Sequence, residues 1–104
     1  MSGKHVLRMA ELEVDPAQLD AYCALLAEEI EASISLEAGV LSLNAVAFKD
    51  SPHRIRILEV YESREAYEAH LQTPHFLKYK DGTMNMVTSL TLVDVEPVMM
   101  RSKP

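Results

Sequence analysis

Apolar and polar residues nearly alternate from His5 to Val14, and this period of two residues predicts a first β-strand. Asp15 and Pro16 then supply an N-cap residue and a proline suited to the first helical turn, so a helix begins there. Apolar residues recur along this helix every three or four positions, which predicts one buried stripe. The stripe consists of Leu19, Tyr22, Cys23, Leu26, Ile30 and Ile34, and Gly39 ends the helix.

The second half of the chain repeats the pattern with an extra break. We predict strands at Val40 to Lys49, Arg54 to Glu62 and Ser89 to Val98, and a turn at Asp50 to His53. Ser63 begins a helix that ends near His70, because Pro74 biases Thr73 away from helical angles and suits the start of a new helix. That second piece runs to about Tyr79, Asp81-Gly82-Thr83 forms a turn, and Met99 to Pro104 forms a loose tail.

The element order β-α-β-β-α-β predicts an α+β, ferredoxin-like fold, with a four-stranded antiparallel sheet and two helices on one face. Strict alternation places Val40 and Leu43, in the same strand, on opposite faces of the sheet, so the middle strands are apolar on both faces. Two helices cover only one of those faces. A second copy of the same sheet is the simplest cover for the other, so we expect a homodimer with its sheets packed face to face, a dimeric α+β barrel.

Length and charge limit the classes of protein that fit. A chain of 104 residues is long enough for one domain, which we assign to residues 1–104 with an ordered core at about 5–98. No apolar run approaches the roughly 20 residues needed to cross a bilayer, and the start lacks a signal-peptide pattern, so we expect a cytoplasmic location and no membrane partner. The net charge of −6 argues against nucleic acid, and the single cysteine excludes an internal disulfide. Cys23, on the apolar stripe, is expected to be inert core.

Candidate chemistry concentrates between Glu59 and Met86. The break at Pro74 is expected to bring His70, His75 and Phe76 to one corner. His70 has a simpler interpretation as a histidine that favours the helix C-terminus, and His75 as an exposed or dimer-contact residue. A metal site is not predicted, because a spacing of five across a proline lacks helical ligand geometry and no third ligand is expected nearby. Glu59 shares the parity of Ile55 and Ile57 and needs a partner there, either in catalysis or in a salt bridge with Arg8 or another basic residue at the sheet edge.

Several residues in this region resemble the antibiotic biosynthesis monooxygenase family of dimeric α+β barrel proteins. They are the strand end Glu59-Val60-Tyr61 and the stretch Glu68-Ala69-His70-Leu71-Gln72-Thr73-Pro74-His75-Phe76. The latter is similar to the quinol monooxygenase branch, and its Thr-Pro-His-Phe portion also to the isomerase branch that acts on phosphorylated autoinducers. The chain's element order follows the family almost throughout.

The resemblance implies a pocket between sheet and helices in which a small quinol-like aromatic reacts with dioxygen without flavin, haem or metal. A histidine is then the obvious base, so the candidate catalytic residues are His70, His75 and Glu59, the last as an orienting carboxylate. Tyr61 and Tyr79 are candidate hydrogen-bond donors to the substrate and Phe76 a stacking surface. The haem-degrading branch is not expected, since the chain has no tryptophan and no asparagine on strand one.

Two alternatives stay open on the same scaffold. An isomerase of a phosphorylated signalling molecule would need Arg54, Arg56, Lys78 or Lys80 to point into the pocket. A non-catalytic dimeric binding or stress protein would have a pocket filled by its own side chains.

Overall fold

The four predicted strands form one antiparallel sheet in a computed structural model that describes residues 5–104. They are β1 (Val6–Val14), β2 (Val40–Phe48), β3 (Ser51–Tyr61) and β4 (Val87–Val95), arranged in the order β2-β3-β1-β4. β3 pairs with β1 from Val6↔Tyr61 to Glu13↔Arg54. The ferredoxin-like α+β fold is therefore confirmed.

The helices begin where capping residues predict them. Asp15 accepts a hydrogen bond from the Ala17 amide at 3.0 Å and opens a short 3₁₀ turn (Pro16–Gln18), after which α1 runs over Leu19–Leu36. The Ser63 hydroxyl caps α2 (Arg64–His70), and the Thr73 hydroxyl caps α3 (Pro74–Thr83) with proline at its first position.

Several predicted boundaries were wrong. β3 begins at Ser51, so Pro52 and His53 lie in a strand; Pro52 is tolerated because β1 pairs with β3 only as far as Arg54. α3 continues through Asp81-Gly82-Thr83, predicted as a turn, to Thr83. β4 runs from Val87 to Val95, not to Val98, and no helix or strand follows it in the described chain.

The buried face of α1 is rotated from its predicted position. Tyr22 and Leu26 are buried as expected, but so are Glu29 and Ser33, whereas Cys23 is exposed and Ile34 is 46% exposed. Cys23 is therefore not a core residue. A stripe at positions 22, 26, 29 and 33 also satisfies helical spacing, and only the packing against the sheet distinguishes it from the apolar one.

A register shift changes the faces of β2. Strict alternation would place Val40 and Leu43 on opposite faces, but the pairing with β3 shifts between Val40 and Ser42. Both side chains therefore enter one buried cluster with Tyr61 and Tyr67.

The opposite, helix-free face of the sheet carries exposed apolar residues in the single chain. Val46 is 63% and Val93 38% exposed, and Phe48 lies under the guanidinium groups of Arg54 and Arg56 at 4.7 and 4.8 Å. These residues are available to a second copy, and the face-to-face homodimer stays a prediction. None of the helices within residues 5–104 is long and apolar enough to span a membrane.

Candidate functional site

A cavity of about 640 Å³ lies between the helices and the inner face of the sheet. Each layer contributes to its lining: α1 through Leu26 and Glu29, α2 through His70, and the sheet through Ile57 and Leu92. The exposed surface of the lining is mostly apolar, as in sites that hold small organic molecules. The other lining residues are Arg8, Ala10, Leu12, Ile30, Leu43, Glu59, Tyr61, Tyr67, Leu71, Gln72, Phe76, Leu77, Tyr79, Lys80, Thr83, Met84, Val87 and Leu90.

One polar group of the cavity is a carboxylate held by a tyrosine. The Tyr61 hydroxyl donates to Glu59 Oε1 at 2.7 Å. Burial raises the pKa of Glu59, although the hydrogen bond from Tyr61 and the charges of His70 and Arg8 oppose this. Burial, with the adjacent Glu59 charge, also raises the pKa of Tyr61. Glu59 therefore holds a proton more readily than an exposed glutamate does.

A cation lies beside this pair. Arg8 is the cross-strand neighbour of Glu59, and its Nη1 donates to the Tyr67 hydroxyl. Its guanidinium also lies over the Tyr67 ring, 5.0 Å from the centroid. Arg8 Nε lies 3.3 Å from Asp94 Oδ1 without hydrogen-bond geometry. The Arg8–Glu59 salt bridge, one of the alternatives for Glu59, is not formed; Arg8 instead contacts Tyr67 and Asp94.

The two histidines meet at a single carboxylate oxygen. Glu37 Oε2 lies 2.9 Å from His70 Nδ1 and 2.6 Å from His75 Nε2. His70 ends α2, His75 lies in the first turn of α3, and Glu37 follows α1, so three helix termini converge there. Burial alone would raise the pKa of Glu37, but the hydrogen bonds and charges of both histidines outweigh it and lower the pKa.

A second carboxylate, which is buried, lies on the other side of the His70 ring. Glu29 Oε2 is 3.7 Å from His70 Nε2, beyond hydrogen-bond range, and accepts the Ser33 hydroxyl at 2.6 Å. His70 is 2% exposed. Its ring therefore lies between two carboxylates and hydrogen-bonds to only one.

Aromatic side chains complete the cavity. Phe76 packs against the His70 ring, with centroids 5.0 Å apart and planes at 56°. The Tyr79 hydroxyl shares a 2.6 Å hydrogen bond with the Tyr22 hydroxyl, and burial raises the pKa of both. Neither tyrosine titrates near neutral pH.

Five of the six predicted site residues line the cavity: Glu59, Tyr61, His70, Phe76 and Tyr79. His75 does not; it lies behind His70 and contacts Glu37. We expected Glu59 to be the orienting carboxylate, but the carboxylate within hydrogen-bond distance of the His70 ring is that of Glu37. The hydroxyl groups of Tyr61 and Tyr79 already have protein partners.

The expectation that no third ligand lies near the histidines was wrong. Glu37, His70 and His75 present ligand atoms within 4.8 Å of one another, a donor set of the kind that zinc accepts. Their contacts of 2.6 and 2.9 Å are hydrogen-bond lengths. Two ligands bonded to one zinc ion at about 2.0–2.2 Å in tetrahedral geometry stand farther apart, at roughly 3.3 Å.

Sequence reasoning did not include Arg8, Glu29, Glu37 and Tyr67 among the site residues, although it considered Arg8 as a salt-bridge partner of Glu59. Two of them had a signal. Arg8 shares its strand parity with Ala10 and Leu12, and Glu29 lies three residues after Leu26, so each is a charge on an apolar face. Glu37 had none, because its role depends on where two distant helices end.

The fold and the cavity define a small α+β protein that encloses a largely apolar site with a few polar groups. The model of the antibiotic biosynthesis monooxygenase family matches residues 5–82, and the chain belongs to this family. The name of the family describes monooxygenase-type proteins.

Solved structures agree with this assignment. A provisionally named antibiotic biosynthesis monooxygenase from Bacteroides thetaiotaomicron is 45% identical, with 96% of this chain and 97% of that one covered and a TM-score of 0.94. A provisionally named monooxygenase from Lactobacillus acidophilus is 28% identical over 88% of this chain and 43% of that one, with a TM-score of 0.85. A Nitrosomonas europaea structure, 21% identical over 94% of both chains with a TM-score of 0.86, supports the fold alone. No curated protein matches the chain significantly.

Proposed function

We propose that this protein is a monooxygenase that oxidises a small quinol- or polyphenol-like aromatic with dioxygen and needs neither metal nor organic cofactor. One observation carries the proposal: a cavity of about 640 Å³ with apolar sides places an imidazole, His70, in the same lining as a half-buried carboxyl group, Glu59. Such a cavity has room for a bicyclic or tricyclic aromatic. Membership of the family supports monooxygenase-type chemistry.

The reaction balances without an added reductant. A hydroquinone that loses its hydroxyl proton becomes an electron-rich anion, which can pass one electron to dioxygen. Recombination of the two radicals forms a carbon–oxygen bond, and loss of water from the resulting peroxide leaves a hydroxyquinone. One oxygen atom enters the product, the other leaves as water, and the quinol supplies all the electrons.

His70 is the proposed base for the first step. Its ring is buried among cavity residues, and a base that removes the substrate proton contributes about 10²–10⁴-fold to the rate. Phe76 lies against the same ring and offers a flat surface for an aromatic substrate. Glu59, whose pKa is raised by burial, can hold a proton close to the developing peroxide.

Oxygen uptake by chelator-treated protein tests the proposal, with a panel of hydroquinones and anthrone-like compounds and ¹⁸O₂ to follow the incorporated atom. We expect uptake above the uncatalysed rate, one labelled oxygen in the product, and a fall of about 10²–10⁴-fold in His70→Ala. His53→Ala is the matched control, because His53 lies in β3 and does not line the cavity. Absence of catalysed oxygen uptake across the panel would refute the monooxygenase function. Full activity in His70→Ala would refute the role of His70 as the base.

A second candidate function has a specific observation in its favour. Of the four basic residues considered for a phosphorylated substrate, only Lys80 lines the cavity; Arg8, which was not one of the four, lines it as well. Arg54 and Arg56 instead stack on Phe48, and Lys78 Nζ pairs with Glu28 at 2.8 Å. Thermal stabilisation by phosphorylated sugars, lost in Lys80→Gln, would favour an isomerase. The open cavity differs from the self-filled pocket expected of a non-catalytic dimeric binding or stress protein.

A further inference from the structure

Glu37 is a charged group that the proposed chemistry does not yet use. It is not part of the cavity lining, and its side chain is 13% exposed, yet its Oε2 is the meeting point of both histidines. A solvated surface glutamate has no need of two imidazole partners. The convergence therefore requires an explanation in terms of what it does to the histidines.

The first consequence concerns protons. The histidine contacts lower the pKa of Glu37, so its carboxylate is ionised at neutral pH and can only accept hydrogen bonds. His70 Nδ1 and His75 Nε2 must then both carry a proton to form their contacts of 2.9 and 2.6 Å. A neutral imidazole has only one N–H, so neutral His70 keeps its lone pair on Nε2.

The second consequence concerns direction. Nε2 has no hydrogen-bond partner among residues 5–104, and it lies 3.7 Å from Glu29, which is a cavity residue. Glu29 would favour the opposite tautomer, with the proton on Nε2, but its distance exceeds hydrogen-bond length and its Oε2 already accepts from Ser33. Glu37, closer by 0.8 Å, decides the tautomer. The other titratable groups around the ring are Glu59, Tyr61 and His75.

We propose that Glu37 is a positioning residue that fixes His70 as the Nδ1–H tautomer with a basic Nε2 at the cavity, and that His75 is not a second base but the residue that holds Glu37. When the substrate O–H bond breaks, its proton bonds to Nε2, and the Nδ1–H contact with Glu37 stabilises the resulting imidazolium, as a carboxylate does in other imidazole-based sites. The role of the base rests on the proposed function; the tautomer and the hydrogen bonds do not.

The tautomer can be measured without any substrate. Long-range ¹H–¹⁵N correlation spectra of the ¹⁵N-labelled, chelator-treated protein distinguish the two neutral forms, with His70→Asn and His75→Gln used for assignment. We expect His70 as the Nδ1–H form in the wild type and a shift toward the Nε2–H form in Glu37→Gln, whose uncharged amide no longer requires donors from both rings. A wild-type His70 protonated on Nε2 would overturn the proposal.

Isosteric variants separate the ability of each histidine to donate a hydrogen bond to Glu37 from its ability to act as a base. Asparagine places its amide nitrogen near the position of Nδ1, so His70→Asn can still donate to Glu37 but has no base. Glutamine does the same for Nε2, so His75→Gln can still hold Glu37. With an oxidisable substrate, we expect Glu37→Gln and His75→Ala to lower kcat by about 10–10²-fold with little change in KM, and His70→Asn by at least as much as His70→Ala.

His75→Gln should recover most of what His75→Ala loses, which a second catalytic base would not allow. Equal losses in His75→Gln and His75→Ala would overturn the role given to His75. The two proposals also fail separately. An active His70→Asn enzyme with the expected tautomer refutes the base but not the positioning contact, whereas a wrong tautomer refutes Glu37 whatever the substrate proves to be.

Discussion

Replacing Gly39 by alanine tests how closely α2 must approach the turn between α1 and β2. A Cβ added at Gly39 would lie 2.5 Å from Ala66 Cβ, while ordinary contact begins at 3.4 Å. The two segments must therefore separate by about 0.9 Å. No described glycine has a positive φ, so backbone strain plays no part, and the reduced freedom of the unfolded chain would by itself favour alanine by about 0.4–1 kcal/mol.

Overpacking of this kind costs about 1–3 kcal/mol, so Gly39→Ala should lower the free energy of unfolding by about 1–2 kcal/mol after that gain. For a chain of this size the loss corresponds to a fall in Tm of roughly 4–16 °C. Because Ala66 lies one turn before His70 on α2, the displacement should also reach the site. A misplacement of about 1 Å can reduce turnover by up to 10²-fold.

Urea denaturation of a double-mutant cycle measures the contact directly. Ala66→Gly alone should cost about 0.5–1 kcal/mol through lost helix propensity, but in the Gly39→Ala background it removes the clash and should restore stability. Gly82→Ala is the matched control: its Cβ would meet only the flexible Leu25 side chain at 3.2 Å, inside a helix that favours alanine. Losses that simply add, within about 0.5 kcal/mol, would refute the steric argument.

Three further predictions follow from the charges and the open sheet face. Burial raises the pKa of Glu59, so the contribution of this group to stability is fully present below the ordinary value of 4.5 and is lost as pH rises through the folded-state pKa. The free energy of unfolding of Glu59→Gln should therefore increase relative to that of the wild type as pH rises from 4.5. A constant difference across that range would contradict this. The lowered pKa of Glu37 has the opposite effect on stability, so Glu37→Gln should be less stable than the wild type at neutral pH. This difference in the free energy of unfolding should disappear below pH 4.5, as the wild-type carboxylate is protonated. Denaturant titrations at several pH values would test this. Sedimentation equilibrium should show that the wild type is a dimer at micromolar concentration. Val46→Glu, on the helix-free face opposite Arg56, should give a folded monomer, since a substitution at an exposed site changes chain stability by only about 0.5 kcal/mol. A monomeric wild type would remove the dimer prediction.

The order of elements and most helix starts were readable from the sequence. Asp15-Pro16, Ser63 and Thr73-Pro74 act through side chains and backbone groups a few residues away, and such local interactions are encoded in adjacent positions. The alternation that placed Glu59 beside Ile57 on the inner face was also correct. The caps act over a few residues, and the faces of strands and helices follow periods of two and 3.6 residues, so both can be read along the chain.

The errors share a different origin. Cys23 and Glu29 lie about 120° apart around α1. Hydrophobicity favours burial of the cysteine, but the structure buries the glutamate, on the side where the cavity and the Ser33 hydroxyl lie. The register shift after Val40 likewise moves a side chain across the sheet without a local signal. In both cases the sequence permits two local arrangements that are nearly equivalent, and packing between distant parts of the chain selects one of them.

The candidate site divides in the same way. The sequence by itself determined a ferredoxin-like chain and placed five of its cavity residues between Glu59 and Tyr79, because strand parity and the proline break at Pro74 are local. Only the tertiary structure decided that His70 lines the cavity while His75 lies behind it, and that Glu37, thirty-three positions before His70, joins the two. A hydrogen bond between residues so far apart depends on how three helices end in space, and no periodicity along the chain records that.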